Sequence, residues 1–294
     1  MTVRRFASIA KATTLEIASE PLSLLLLSAS VVLSVFAPAF HYHQFGEPTR
    51  MARDAGLSAL LIGGILFAVI GAVRTFRREF ESGTAAVAMS HPVSRMQFFF
   101  AKAFGVYVAF AMFAIAVGSV SVSMVNGAAI GANVASKSGD IPKLWGPSYA
   151  FGVATVVIPY ILGAFLNRFL RVRFALSGFL ATLACAVASL FYRMDVHEFT
   201  RMLSAMALLW IPPAFFTIAA SAASVRMKTS AAVAIVAVLL AGFVPFAGSY
   251  SLSEALSHGG SIPWHYVALA ALCAFPAILA ASVVGVAAMY SKDI

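Results

Sequence analysis

Few residues in this chain have types and spacings that could do chemistry, and each set meets an obstacle. Gly131-Ala-Asn-Val-Ala-Ser136-Lys137-Ser138 has the length of a phosphate-binding loop. Ser136 stands where that loop needs its second glycine, and no strand pattern precedes the segment. His41 and His43 flank Tyr42 and could begin a metal site, but no cysteine or third histidine lies nearby to complete it. His91, His197, His258 and His265 are scattered, and the eleven methionines form no cluster that could relay copper. No metal or organic cofactor is therefore expected. The long apolar runs hold no Asp, Glu, Lys or Arg, whereas ion-coupled carriers and proton relays place ionisable groups there. Asp pairs, an HExxH pair or a Ser/His dyad of an intramembrane protease are not seen as motifs either.

One segment is more specific. Between two apolar runs, Arg74–Lys102 begins with Arg74, Arg77 and Arg78, and Glu79 and Glu81 then end the basic extension. Gly83 permits a sharp turn, and Thr84 can cap a short helix over Ala85–Met89. After Ser90 and His91, Pro92 stops that helix, because the residue before a proline avoids the α region. Val93 follows, then Ser94 caps a new helix carrying Arg95 and Lys102. On these residues alone the segment fits either a plain connection between two helices or a short helix presented along a membrane surface.

The elements that would position these residues follow from composition. Of the 294 residues 61% are apolar and 11% charged, with mean hydropathy +0.93. Soluble domains have about 45–50% apolar and about 25% charged residues, so the class is an all-α polytopic membrane protein. Spans are expected at Pro21–Phe40, Ala55–Val73, Ala103–Val125, Pro147–Asn167, Phe174–Tyr192, Met202–Ala222, Ser230–Tyr250 and Tyr266–Tyr290. Each can cross a hydrocarbon core of about 30 Å. Pro212–Pro213 and Pro245 are the places where a span could be broken or re-entrant, which would leave six crossings plus an extra pair. Phe6–Glu20 is amphipathic and reads as a helix lying in the interface before the first span. Gly63, Gly64 and Gly71, and Gly127-x-x-x-Gly131, allow close helix approach within or between chains. Cys185 and Cys273 lie in mid-span and are expected to be buried thiols outside any disulfide framework. One membrane domain fills residues 1–294.

The net charge of +9 comes from short clusters between spans, which indicates topology and lipid contact, not nucleic acid. Fourteen of the twenty Lys and Arg residues fall in 1–20, 74–102, 168–173, 226–228 and 292. Six fall in 50–53, 137–143 and 193–201. The positive-inside rule puts the first set, and both termini, in the cytoplasm of a protein of the cytoplasmic membrane. Trp145 and Trp264 then mark the outer interface.

The Arg74–Lys102 segment resembles the permease subunits of type-2 ABC exporters. In them a Glu-x-x-x-Gly-Thr step leads to a short helix, then to Pro-Val-Ser-Arg and a downstream Lys. Glu79, Gly83, Thr84, Pro92, Val93, Ser94, Arg95 and Lys102 stand at those positions, with Glu81 and His91 between them. The stretch from Lys11 through Glu16 and Pro21 is similar to the family's elbow helix and first span, within its multi-copper-enzyme-maturation branch. The resemblance covers about Phe6–Gly105. It implies a permease without an ATP site, a coupling helix at 74–102, a separate ATPase subunit as partner and a second permease copy. An ion-coupled carrier or channel, or a membrane scaffold, is the alternative that the residues leave open. The charge count predicts that a reporter inserted within 168–173 will be cytoplasmic, whereas a tag near Lys137–Lys143 will be labelled from outside by an impermeant reagent. Labelling of Lys137 from the cytoplasm alone would reverse the orientation.

Overall fold

The computed structural model describes residues 3–38, 48–82, 94–138, 146–191, 196–227 and 260–291, with isolated positions 234 and 238. Nine helices are found among the described residues: α1 Val3–Ala18, α2 Pro21–Phe36, α3 Pro48–Glu81, α4 Arg95–Ser138, α5 Gly146–Leu170, α6 Phe174–Phe191, α7 Val196–Leu209, α8 Ile211–Arg226 and α9 Trp264–Tyr290. Six stretches are long and apolar enough to cross a membrane, with α7 and α8 counted together. The first span, α2, is short alone and becomes a seventh when joined to α1, from which it is bent by 67°. Pro21 starts α2 at a position where its missing N–H costs nothing. This is a multi-pass membrane protein.

α3 and α4 run antiparallel through the middle of the bundle. At 44 residues α4 is about 66 Å long, so it extends well past a hydrocarbon core at one or both ends. Gly63 and Gly64 let α3 lie close to Ser30 of α2 and Phe110 of α4, so these glycines serve contacts within the chain. Phe67 stacks on Phe113 at 4.9 Å and reaches Phe179 of α6 at 6.1 Å. The Gly131–Ser138 segment forms the last turns of α4 and is helix, not a phosphate-binding loop.

The break expected at Pro212–Pro213 falls at Trp210, between α7 and α8, and the two still pass as one span. The hydroxyl of Tyr107 on α4 donates to the Trp210 carbonyl at 3.4 Å. A neighbouring helix thus bonds to the backbone at the break itself.

The helix ends sort into two sets. One holds α1, the ends of α3, α5, α8 and α9 and the starts of α2, α4 and α6; we call it the basic end. At the other end Glu198 binds Arg201 at 2.5 Å and Arg53 at 3.5 Å, and Arg201 Nε donates to the Gly260 carbonyl at 3.2 Å. α8 therefore finishes at the basic end and α9 starts at the opposite one, so the chain changes ends between Met227 and Gly260. Apart from the isolated positions 234 and 238, the span expected at Ser230–Tyr250 lies outside the described residues, as do Pro245, His41, His43, His258 and Trp145.

The cysteines correct an expectation. Cys185 is half-buried and Cys273 is exposed on α9. In a membrane protein an apolar run can face lipid on most sides, so mid-span position does not imply burial in protein.

α1 packs crosswise on α4 with Ala10, Thr13, Ile17 and Ala18 buried. Thr14 Oγ1 donates to the Gly105 carbonyl at 2.9 Å. A Cβ at position 105 would lie 2.6 Å from the Ala10 carbonyl oxygen and 2.7 Å from Thr13 Cβ. Gly105→Val should therefore lift α1 from α4 at a cost of about 1–3 kcal/mol. Maleimide labelling of a Thr13→Cys reporter should be slow in the parent chain and fast in the valine variant; equal rates would show that the approach is not tight.

Candidate functional site

The basic end is organised by one buried cation. Lys102 is 1% exposed, on the second turn of α4. Its ammonium lies 2.7 Å from Glu79 Oε1 and donates to the Thr75 carbonyl at 3.2 Å, both on the last turns of α3. The rings of Phe76 and Phe98 stand 5.6 and 5.7 Å from Nζ, each within cation–π range. The charge is thus compensated by a carboxylate, a carbonyl and two aromatic faces. Beside it, Phe76, Phe98, Phe99, Val225, Ala288 and Met289 form a small core that joins α3, α4, α8 and α9.

This pair straddles residues 83–93. Glu79 precedes the segment by one helical turn and Lys102 follows it by two. Ser94 and Gln97 form a reciprocal cap, with Ser94 N donating to Gln97 Oε1 at 3.4 Å and Gln97 N donating to Ser94 Oγ at 3.3 Å. Ser94 therefore starts α4 as its sequence position suggests. Arg95 reaches across to α9, where Nη1 donates to the carbonyls of Met289 at 2.8 Å and Tyr290 at 3.4 Å. A cation at a helix C-terminus is favoured there by the helix dipole. On the other arm Arg77 pairs with Glu81 at 2.6 Å and donates to the Met227 carbonyl at 3.3 Å, just beyond α8. Arg226 in turn donates to the Ser291 hydroxyl.

α1 joins the same end through Glu16 to Arg78 at 3.4 Å and Glu20 to Arg74 at 3.3 Å. Burial pushes the Glu16 carboxyl above its usual range, against the opposing pull of Lys102 and Arg78. Between α1, α3 and α6 an open groove of about 650 Å³ is lined by Leu15, Glu16, Arg78, Glu79, Arg173 and Leu176, among others. Nothing in this arrangement resembles a nucleophile with its base. It is a set of clamps on helix ends flanking residues 83–93.

The family model for ABC-2 family transporter proteins matches residues 18–170. The chain belongs to the ABC-2 transporter family. The match runs from the end of α1 to the last residue of α5, and so includes both arms of the clamped loop. It does not reach the multi-copper-enzyme-maturation branch, so the assignment stands at the level of the family. ABC-2 permeases are generally paired with an ATPase subunit. No curated protein and no solved structure matches the chain.

In this ABC-2 protein the residues singled out from the sequence divide into three groups. Glu79, Arg95 and Lys102 are engaged inside the bundle, and burial keeps Lys102 from touching a partner directly. Glu81 and Ser94 are exposed at the two margins of the loop. Gly83, Thr84, His91, Pro92 and Val93 lie outside the described residues. Sequence reasoning passed over Arg77, Arg226 and Glu16 as working parts. The i, i+4 spacing of Arg77 and Glu81 was a readable signal, whereas the carbonyls of Met227, Met289 and Tyr290 leave none.

Removing one partner of the buried pair should be costly. Lys102→Ala leaves the Glu79 carboxylate facing apolar rings, and since Glu79 keeps some exposure the loss should fall near the lower end of about 3–5 kcal/mol. Lys102→Met combined with Glu79→Leu should recover most of it. Thermal melting of each variant in detergent, followed by size-exclusion chromatography, checks this; a double variant as unstable as Lys102→Ala would show that the charges do more than balance each other.

Proposed function

We propose that the chain is the membrane-spanning permease subunit of an ABC exporter, powered by a separate ATPase subunit that docks on residues 83–93. The observation that carries this reading is the clamping of both arms of that segment. The Glu79–Lys102 pair, the Arg77 contact with Met227 and the Arg95 contact with the end of α9 tie the loop base to four helices. A displacement of the loop is passed to all four, since packed helices move as units and do not deform continuously. A plain connector has no use for so much reinforcement at its base.

The basic end faces the cytoplasm in this reading, in line with the uneven distribution of Lys and Arg. α1 then lies in the inner interface as an elbow helix, supported by its 67° bend from α2 and its single buried face. A second permease copy completes the transport path. The chain carries no GxxxxGK[ST] motif of its own, so the energy comes from the partner.

The test separates the loop from its clamps. Replacing residues 83–93 with a Gly-Ser stretch of equal length leaves Arg77, Glu79, Arg95 and Lys102 in place, so the melting temperature should be unchanged. The replacement removes Val87, Met89 and Val93; losing the burial of even one such side chain costs about 1.5–3 kcal/mol, and co-purified ATPase should therefore fall by more than about tenfold. Parent-level association by the replaced chain would make the segment a connector. Transport by the purified chain alone under an ion gradient would instead favour a self-powered carrier.

A further inference from the structure

The turn between α5 and α6 is built unlike a simple hairpin between spans. Arg171 is in the left-handed region at φ 54°, the one non-glycine residue there among those described. Asn167 Nδ2 donates to the Val172 carbonyl at 2.9 Å and holds the turn. Arg168, Arg171 and Arg173 are all exposed, and among the described residues no carboxylate pairs with any of them. Phe165, Phe169, Leu170 and Phe174 around them are exposed as well, Phe169 by 68%. Both helices are membrane spans, so the arginines stand where hydrocarbon gives way to headgroups.

Arg173 also enters the groove beneath α1. Its guanidinium donates to Ser19 Oγ at 3.3 Å and faces the same space as Arg78. The two carboxylates of the groove each have a cation, Glu16 with Arg78 and Glu79 with Lys102. The charge left uncompensated by a carboxylate is that of Arg173. Leu15 and Leu176 add apolar lining, and about 650 Å³ falls within the usual range of small-ligand sites.

We propose that this groove holds the headgroup of an anionic phospholipid from the surrounding leaflet, with its phosphate on Arg173, its acyl chains along the exposed apolar side chains of α5 and α6, and Arg168 and Arg171 contributing at the rim. The lipid is a bound structural partner of α1 and the α5–α6 turn, not cargo. The proposal rests on the chain spanning a membrane and is independent of the ATPase reading.

The full chain is reconstituted in phosphatidylcholine nanodiscs containing a trace of spin-labelled phosphatidylglycerol or spin-labelled phosphatidylcholine, and the immobilised fraction of each label is measured. The parent chain should immobilise phosphatidylglycerol preferentially. Arg173→Gln should lower that preference by about fivefold, the worth of one arginine near an anionic surface. Arg173→Lys should keep part of it. Arg4→Gln, the same change of charge at the remote end of α1, should leave it intact. Equal immobilisation of the two labels by the parent chain, or an undiminished preference in Arg173→Gln, would overturn the proposal. Displacement of the phosphatidylglycerol label by inorganic phosphate would overturn it too, since the groove would then be a site for a free anion.

Discussion

Taking an ammonium ion out of water costs several kcal/mol even after the protein relaxes, and the arrangement of the basic end follows from meeting that cost at Lys102. The cation needs a carboxylate, which fixes α3 against α4 in register, with Glu79 in the last turn of α3 and Lys102 in the second turn of α4. It gains further from aromatic faces, which Phe76 and Phe98 supply from the same two helices. Once those rings are in place Phe99 packs against Phe76 in a tilted pair at 5.5 Å, and together they offer a surface on which Val225, Ala288 and Met289 can pack. The ends of α8 and α9 are therefore held by a core that exists because a lysine is buried next to it.

The rest of the bundle uses a different device. Serines and threonines within the helices satisfy their own hydroxyls on carbonyls one turn back, as Ser121 does on Val117 at 2.7 Å and Thr182 on Gly178 at 2.8 Å. Their small side chains then permit close packing without exposing a polar atom to lipid. Ser123 of α4 and Ser189 of α6 go further and bond each other at 3.1 Å. α4 can serve as the central mast because its interior-facing residues are either large and apolar, such as Phe110 and Phe113, or small and internally satisfied.

The parts of this structure that were legible in the sequence are those set by local or one-dimensional rules. Charge-free runs locate the six membrane-crossing stretches found among the described residues, Ser94 caps α4, Glu79 and Glu81 close α3, and Pro212–Pro213 coincide with a break. The parts that were not legible depend on which helices become neighbours. That Lys102 is buried cannot be read from a position one residue outside an apolar run, where a lysine could equally reach the surface by extending its stem. Arg77 and Arg95 also reach main-chain carbonyls 150 and 194 residues away. Any residue type presents a carbonyl, so no pattern announces them. Cys273 failed for a related reason, because hydropathy reports an apolar environment without saying whether protein or lipid provides it.

That ambiguity bears on how α9 is held. Only 6% of its most apolar stretch is buried, against 78% for α4. In water such a helix would be driven onto the bundle by its apolar surface, but lipid tails are as apolar as its leucines and offer no such drive. What fixes α9 must then come from contacts that lipid cannot replace. At its C-terminal end these are the two carbonyls accepting from Arg95, the Arg226–Ser291 hydrogen bond and the close approach at Gly285, where a Cβ would overlap the Phe99 ring. All three lie at the basic end, on the helices that also carry the clamped loop. The position of the most exposed span is thus tied to the same few residues that brace the segment proposed to receive the ATPase, and a change in one is felt by the other.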